Sequence, residues 1–201
     1  MRIRKKVCAL VLALVLALPC LCLGEDWEEI PTVVTIVSAP DQTEAQRPTC
    51  FPDPTENYIP LPEGENLAEN KPVLASGTHT DVYVISNIND GSTSTYWESN
   101  GYPAEVTFEL GEIYTVSTVA VCLNPSSIWE PRKQEIAVQV SLDGESFTEI
   151  VSAELYSFDA ATGNRVRIDF DPTQAAYVRV IFTKNTAQRT GGAQAAEICV
   201  Y

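Results

Sequence analysis

The chain has 201 residues, with 27 acidic against 13 basic side chains and a formal charge of −14. Four of the basic residues fall in the first 24 positions, which hold no acid, so the remainder carries 9 basic against 27 acidic groups, a formal −18. Such a surface repels nucleic acid and anionic lipid, accommodates neutral sugars and supplies carboxylates to divalent ions.

Arg2, Arg4, Lys5 and Lys6 precede an unbroken apolar run from Val7 to Leu18; Pro19 ends it, and Cys22-Leu23-Gly24 leads to Glu25. That order predicts an export signal over residues 1–24, cleaved before Glu25, and a secreted or cell-surface protein. The apolar run is short for a bilayer span, so no transmembrane segment is expected after processing; an uncleaved anchor continuing to Leu23 is the alternative. Residues 25–64 are rich in proline and acid and read as a stiff, extended linker, with strand character only at Val33–Val37. Cys50, Phe51, Tyr58 and Ile59 are placed to pin its end to the folded part.

Residues 65–201 have the length of one domain with its own core. Apolar residues alternate with polar ones at Val106, Phe108 and Leu110, at Ile136, Val138 and Val140, at Val166, Ile168 and Phe170, and at Val178, Val180 and Phe182. Period two predicts strands with one buried face. Further strands are expected at Val116–Leu123, Phe147–Val151, Leu155–Phe158 and Ala195–Tyr201, with turns at Leu110-Gly111, Asp143-Gly144 and Gly163-Asn164. No stretch has the apolar stripe of a three-turn helix. About eight antiparallel strands around one core make an all-β sandwich or jelly roll.

Within this pattern, Asn87-Ile88-Asn89-Asp90-Gly91-Ser92-Thr93-Ser94-Thr95-Tyr96-Trp97 sets polar oxygens around one carboxylate and ends in a large aromatic suited to burial. An Asx-Gly turn can aim several carbonyls and Asp90 at one centre, which suits a hard cation such as calcium, although the spacing is not that of an EF-hand. The other reading is a polar loop with one aromatic anchor. Cys122 and Cys199 lie in strand-like runs as small buried side chains; a disulfide between them is left open by their spacing. Two cysteines and one histidine this far apart give no zinc pattern. No Gly-x-Ser-x-Gly elbow, His-Glu-x-x-His motif, phosphate loop or paired carboxylates on one element point to catalysis, and His79 is the only histidine.

The domain resembles the discoidin, or coagulation factor V/VIII type C, family, close to the family 32 carbohydrate-binding modules. The resemblance runs from Asn66-Leu67-Ala68 and Lys71–Ser76, through Asn89-Asp90-Gly91 with Thr95 and Trp97, to Val106–Gly111. It continues at Arg132, Val140–Phe147 and Tyr177–Val180, and closes at Ala196–Tyr201. It implies an eight-stranded, galactose-binding-domain-like jelly roll that binds ligands through loops at one end and has no chemistry of its own. It also implies a structural calcium ion held by the carbonyls of Asn87, Ser92 and Ala196, the carboxylates of Asp90 and Glu197, and Thr95 through its carbonyl and hydroxyl.

Sugar sites set an aromatic face against the C–H side of a pyranose and fix its hydroxyls with a few polar groups. Trp129 and Arg132 in one loop, Asn185 and Arg189 in another, and His79 and Tyr83 ahead of the cation loop are the candidates for a glycan or cell-surface polysaccharide. Trp129 reads equally as a loop anchor, and the family pattern gives Arg132 a structural role pairing across strands. A structural or adhesive module contacting protein is the alternative function, and lipid binding a third.

Overall fold

The computed structural model describes residues 55–187 and 191–201. The expected export signal, most of the linker and Arg189 lie outside them. The described residues form eight strands in order: β1 Val73–Ala75, β2 Trp97–Glu98, β3 Ala104–Cys122, β4 Arg132–Ser141, β5 Thr148–Phe158, β6 Arg165–Asn185, β7 Gln194–Ala195 and β8 Glu197–Val200. The main sheet runs β1-β3-β6-β4-β5, with β8 on the far half of β3, and β2 and β7 form a separate two-stranded ladder. All pairings are antiparallel, and the strands make a β-sandwich without a closed barrel.

Two expected boundaries dissolve into longer strands. Leu110-Gly111 is not a turn: β3 passes through it, and a register shift between Glu109 and Tyr114 absorbs the extra residues. Gly111 takes φ 91°, which a residue without Cβ adopts at little cost. A second shift follows at Val116/Thr118, opposite Pro172 of β6, which has no N–H to give to a ladder. Local periodicity shows one strand on each side of a bulge where the chain makes a single long one. The same holds for 148–158, which is a single strand, β5. The turns at Asp143-Gly144 and Gly163-Asn164 are present, with left-handed Gly144, Gly163 and Asn164.

The alternating residues fill the core. Val106, Phe108, Leu110, Ile136, Val138, Val178, Val180 and Phe182 have no exposed surface, and Trp97 and Phe158 join them. Phe170 is only partly buried against this cluster, beside the bulge. The end of the linker docks on the sandwich: the Ile59 N–H donates to the Thr162 carbonyl at 3.1 Å, and the Arg165 guanidinium lies over the Tyr58 ring at 5.0 Å.

Trp97, at the end of the 87–97 loop, is the largest fully buried side chain among the described residues. Its ring packs against Phe182 at 6.2 Å between centroids, and its indole N–H donates to the Gly77 carbonyl at 3.1 Å. Trp97→Ala empties a large fully buried site and is expected to cost about 3–5 kcal/mol, read as a lowered urea midpoint. A loss near zero would show that the loop end is held independently of the core.

Candidate functional site

One end of the sandwich carries an open cleft of about 440 Å³. Its aromatic wall is built from three rings. Tyr83 and Tyr96 stack at 4.3 Å with an interplanar angle of 24°. Trp129 meets Tyr96 edge-on at 4.8 Å and 88°, and the Arg132 guanidinium lies 5.0 Å from the centre of the Trp129 ring. His79 is exposed at the rim, where Ile128 is 82% exposed.

Local hydrogen bonds place these side chains. The His79 N–H donates to the Glu98 carbonyl at 2.8 Å and the Glu98 N–H to the Tyr83 carbonyl at 3.3 Å, laying the 79–83 loop along β2. The Trp129 N–H closes a turn onto the Ser126 carbonyl at 3.0 Å. β2 is clipped to β7, and Ser99 extends the clip: its N–H donates to the Ala193 carbonyl, and its Oγ accepts from the Ala193 N–H at 2.7 Å. The chain passes so near Ser99 at Gly192 that a Cβ there would collide with the Ser99 carbonyl.

The floor is polar and buried. Gln194 donates through Nε2 to Glu98 Oε2 at 2.9 Å and accepts through Oε1 from an Arg132 guanidinium N–H. Arg132 also donates through Nε to the Glu130 carbonyl at 2.9 Å. Beneath them, fully buried Gln134 grips the Gln194 backbone in both directions, donating to its carbonyl at 2.8 Å and accepting from its N–H at 2.9 Å. Burial lowers the Arg132 pKa, while Glu130 and Glu98 oppose the shift. Burial and then the hydrogen bond with Tyr83 raise the pKa of the Tyr96 phenol, keeping it neutral.

The structure therefore brings His79, Tyr83, Trp129 and Arg132 into one cleft. Asn185 is not among its lining side chains. Its Nδ2 donates to Gly192 O at 3.2 Å and reaches Gln134 Oε1 at 3.4 Å, while its Oδ1 accepts from the Ala187 N–H at 2.9 Å, so it braces its own loop. Arg189 lies outside the described residues. Tyr96, Glu98 and Gln194 were missed in the sequence. Alternation about the buried Trp97 is the signal for Tyr96, which must face away from the core; nothing local marks Gln194, whose neighbours come from β4 and β2.

A second cluster surrounds the expected cation loop. Asp90 Oδ1 accepts from the Ser92 N–H at 2.9 Å, and Oδ2 from the Thr95 hydroxyl at 2.8 Å. The Thr95 hydroxyl also lies 3.3 Å from the Ser92 carbonyl. Asn87 spends its side-chain N–H groups on the Val82 and Tyr96 carbonyls, and the Ala196 N–H donates to the Cys122 carbonyl. Glu197 is 6% exposed. Its Oε2 accepts from the Gly91 N–H at 3.2 Å, and its Oε1 has no hydrogen-bond partner among the described residues. Desolvation, then Cys199 and Asp90, push its pKa up to about 8. A buried carboxylate oxygen without a donor, beside a second carboxylate, fits a cation, since burial without one is costly. No group of three or more His, Cys, Asp or Glu side chains converges among the described residues; the expected shell has only two carboxylates and is otherwise made of carbonyls and a hydroxyl.

The F5/8 type C domain model matches residues 72–198. A carbohydrate-binding module of Clostridium perfringens, solved with GalNAc-β-1,3-galactose, is similar over 68% of this chain and 99% of its own, with 23% identity and a TM-score of 0.56. Chitosan-binding module 1 of a chitosanase/glucanase from Paenibacillus sp. IK-5 matches over 69% of this chain and 99% of its own, at 28% identity and a TM-score of 0.54. The family 32 module of AlyQ, solved with 4,5-unsaturated mannuronic acid, matches over 66% and 96%, at 26% identity and a TM-score of 0.53. The matched model spans β1 to β8, and the chain belongs to the F5/8 type C domain family.

Proposed function

We propose that this protein is a non-catalytic carbohydrate-binding module and that the cleft beside Tyr83, Tyr96 and Trp129 holds the glycan. The observation that carries this is the meeting of a continuous aromatic wall with a polar floor of fixed geometry. The rings offer apolar faces to the C–H side of a pyranose, and His79, Arg132, Glu98 and Gln194 offer donors and acceptors to its hydroxyls. Related modules bind neutral, amino and acidic sugars, which supports the class of ligand without choosing its member. Among the described residues no helix is long and apolar enough to cross a membrane; with the export signal read in residues 1–24, we place the protein outside the cell, on glycans of a surface or polysaccharide.

Trp129 and Arg132 separate binding from support. Trp129→Ala removes part of the wall and is expected to lower glycan affinity about tenfold or more in calorimetric titration. Arg132→Ala strips the buried Gln194 Oε1 of its donor and is expected to cost about 1–3 kcal/mol of stability. Unchanged affinity of Trp129→Ala across a glycan array would overturn the cleft as the binding site.

We further propose that calcium occupies the Asp90–Glu197 cluster, held by those carboxylates, by Thr95 and by the carbonyls of Asn87, Ser92 and Ala196. Its role is structural: it would staple the last strand to the loop before β2. A chelator should lower Tm, because an ion bound by the folded state alone stabilises it by about 2.7 kcal/mol at a hundredfold excess over Kd. Asp90→Ala or Glu197→Ala should abolish the response. The pH dependence has a definite sign. Without metal, the raised pKa of Glu197 contributes stability below its ordinary value of 4.5 that is lost as pH rises towards about 8. Calcium needs the ionised carboxylate, so the chelator effect should be larger near pH 8 than near pH 4.5. Equal melting curves with calcium and with chelator at both ends would sink the site.

A further inference from the structure

The described residues hold two cysteines that the glycan cleft does not use. Cys122 ends β3 and Cys199 lies on β8; both are free thiols, 4% and 5% exposed. The ladder pairs Cys122 with Glu197 and Cys199 with Ala120, so the two cysteines stand diagonally across neighbouring strands on one face. On that face the two side chains are diagonal neighbours, a relation in which side chains on adjacent strands still come within reach of one another. The ladder holds this proximity, since β3 at Cys122 is paired on its other side with Arg165 of β6 and cannot drift away from β8. Both cysteines also line a second pocket of about 310 Å³, bordered by Tyr58, Leu61 and Pro125, which gives a small molecule a route to sulfurs that the sheet otherwise covers.

We propose that Cys122 and Cys199 form a dithiol modification site that closes to an intramolecular disulfide by exchange with a small disulfide entering this pocket. One thiolate attacks a sulfur of the incoming disulfide, whose S–S bond breaks and releases one thiol, leaving a mixed disulfide on the protein. The neighbouring cysteine loses its proton to solvent and attacks the protein-bound sulfur of that mixed disulfide, forming the Cys122–Cys199 bond and expelling the second small thiol. Two cysteines are oxidised and one small disulfide is reduced to two thiols. From this diagonal pairing, a small backbone shift of β8 along β3 brings the two Cβ atoms to the spacing a disulfide requires. The product would bind β8 covalently to β3 and close a long loop that contains β4, β5, β6 and β7.

The test uses the full chain in its folded state, incubated with hydroxyethyl disulfide, trapped with N-ethylmaleimide and mapped by peptide mass spectrometry. The expected result is one cross-linked peptide pair joining Cys122 to Cys199, lighter than the two thiol peptides by two hydrogens. With it Tm should rise by on the order of 10 °C, reversibly with dithiothreitol. Cys122→Ser should stop at a mixed disulfide on Cys199 without that gain in Tm. Separate maleimide or mixed-disulfide adducts on the two cysteines of the unmutated chain would overturn the proposal. So would a link from either one to Cys50, or an equal rise in Tm in Cys122→Ser.

Discussion

The hydrogen bond from the Trp97 indole to the Gly77 carbonyl joins a ring with no exposed surface to the loop that carries His79 and Tyr83. A buried indole N–H without a partner would be costly, so the ring and the loop position are fixed together. Because strand residues alternate in direction, burying Trp97 turns Tyr96 outward, where it stacks on Tyr83 and receives the edge of Trp129. One residue in the core thus dictates where the aromatic wall begins. The two-residue ladder of β2 with β7 is too short to hold itself; the core beneath Trp97 holds it.

The floor follows a different logic. Gln134 is fully buried on β4, where a strand pattern would place an apolar residue, and it satisfies both backbone groups of Gln194. That fixes Gln194, whose side chain sets the positions of Arg132 and Glu98. A polar network with such reciprocal bonds is rigid before ligand arrives, so less ordering entropy is lost on binding. Arg132 takes part in both halves of the site: its guanidinium lies over the Trp129 ring and also donates to Gln194 in the floor. The two readings of this residue in the sequence, structural pairing and ligand contact, describe the same side chain in one geometry.

What the sequence disclosed and what it hid divide along contact range. Alternation at Val106–Leu110, Ile136–Val140 and Val178–Phe182 needs only neighbouring residues, and it located the core strands. The bulges at Glu109/Tyr114 and Val116/Thr118 depend on what β6 presents opposite, so they read as turns or gaps. Likewise His79, Tyr83, Trp129 and Arg132 stand out as aromatic or polar groups in loops, whereas the floor forms only when residues 98, 132, 134 and 194 meet across three strands. Asn185 shows the opposite case. Its residue type suits a sugar hydroxyl, but its position at the end of β6 makes it the brace of its own loop.

The 87–95 loop and the cleft share one contact that neither segment reveals alone. The Asn87 side chain donates to the carbonyl of Tyr96 at 2.9 Å while its backbone lies in the 3-10 turn Ile85–Asn87 that leads into Asn89-Asp90-Gly91. Asn89 in turn donates to the Ala68 and Lys71 carbonyls at 2.7 and 3.0 Å, tying the same loop to the start of the domain. The Ile198 N–H donates to the Ile88 carbonyl at 2.8 Å, so the last strand grips the loop from the other side. A constraint on this loop, whether from Asp90 and Glu197 or from the C-terminal strand, therefore reaches the Tyr96 backbone through the Asn87 amide as well as along the chain. A structural element with no contact to a sugar can in this way still set the angle of the wall against which the sugar would lie.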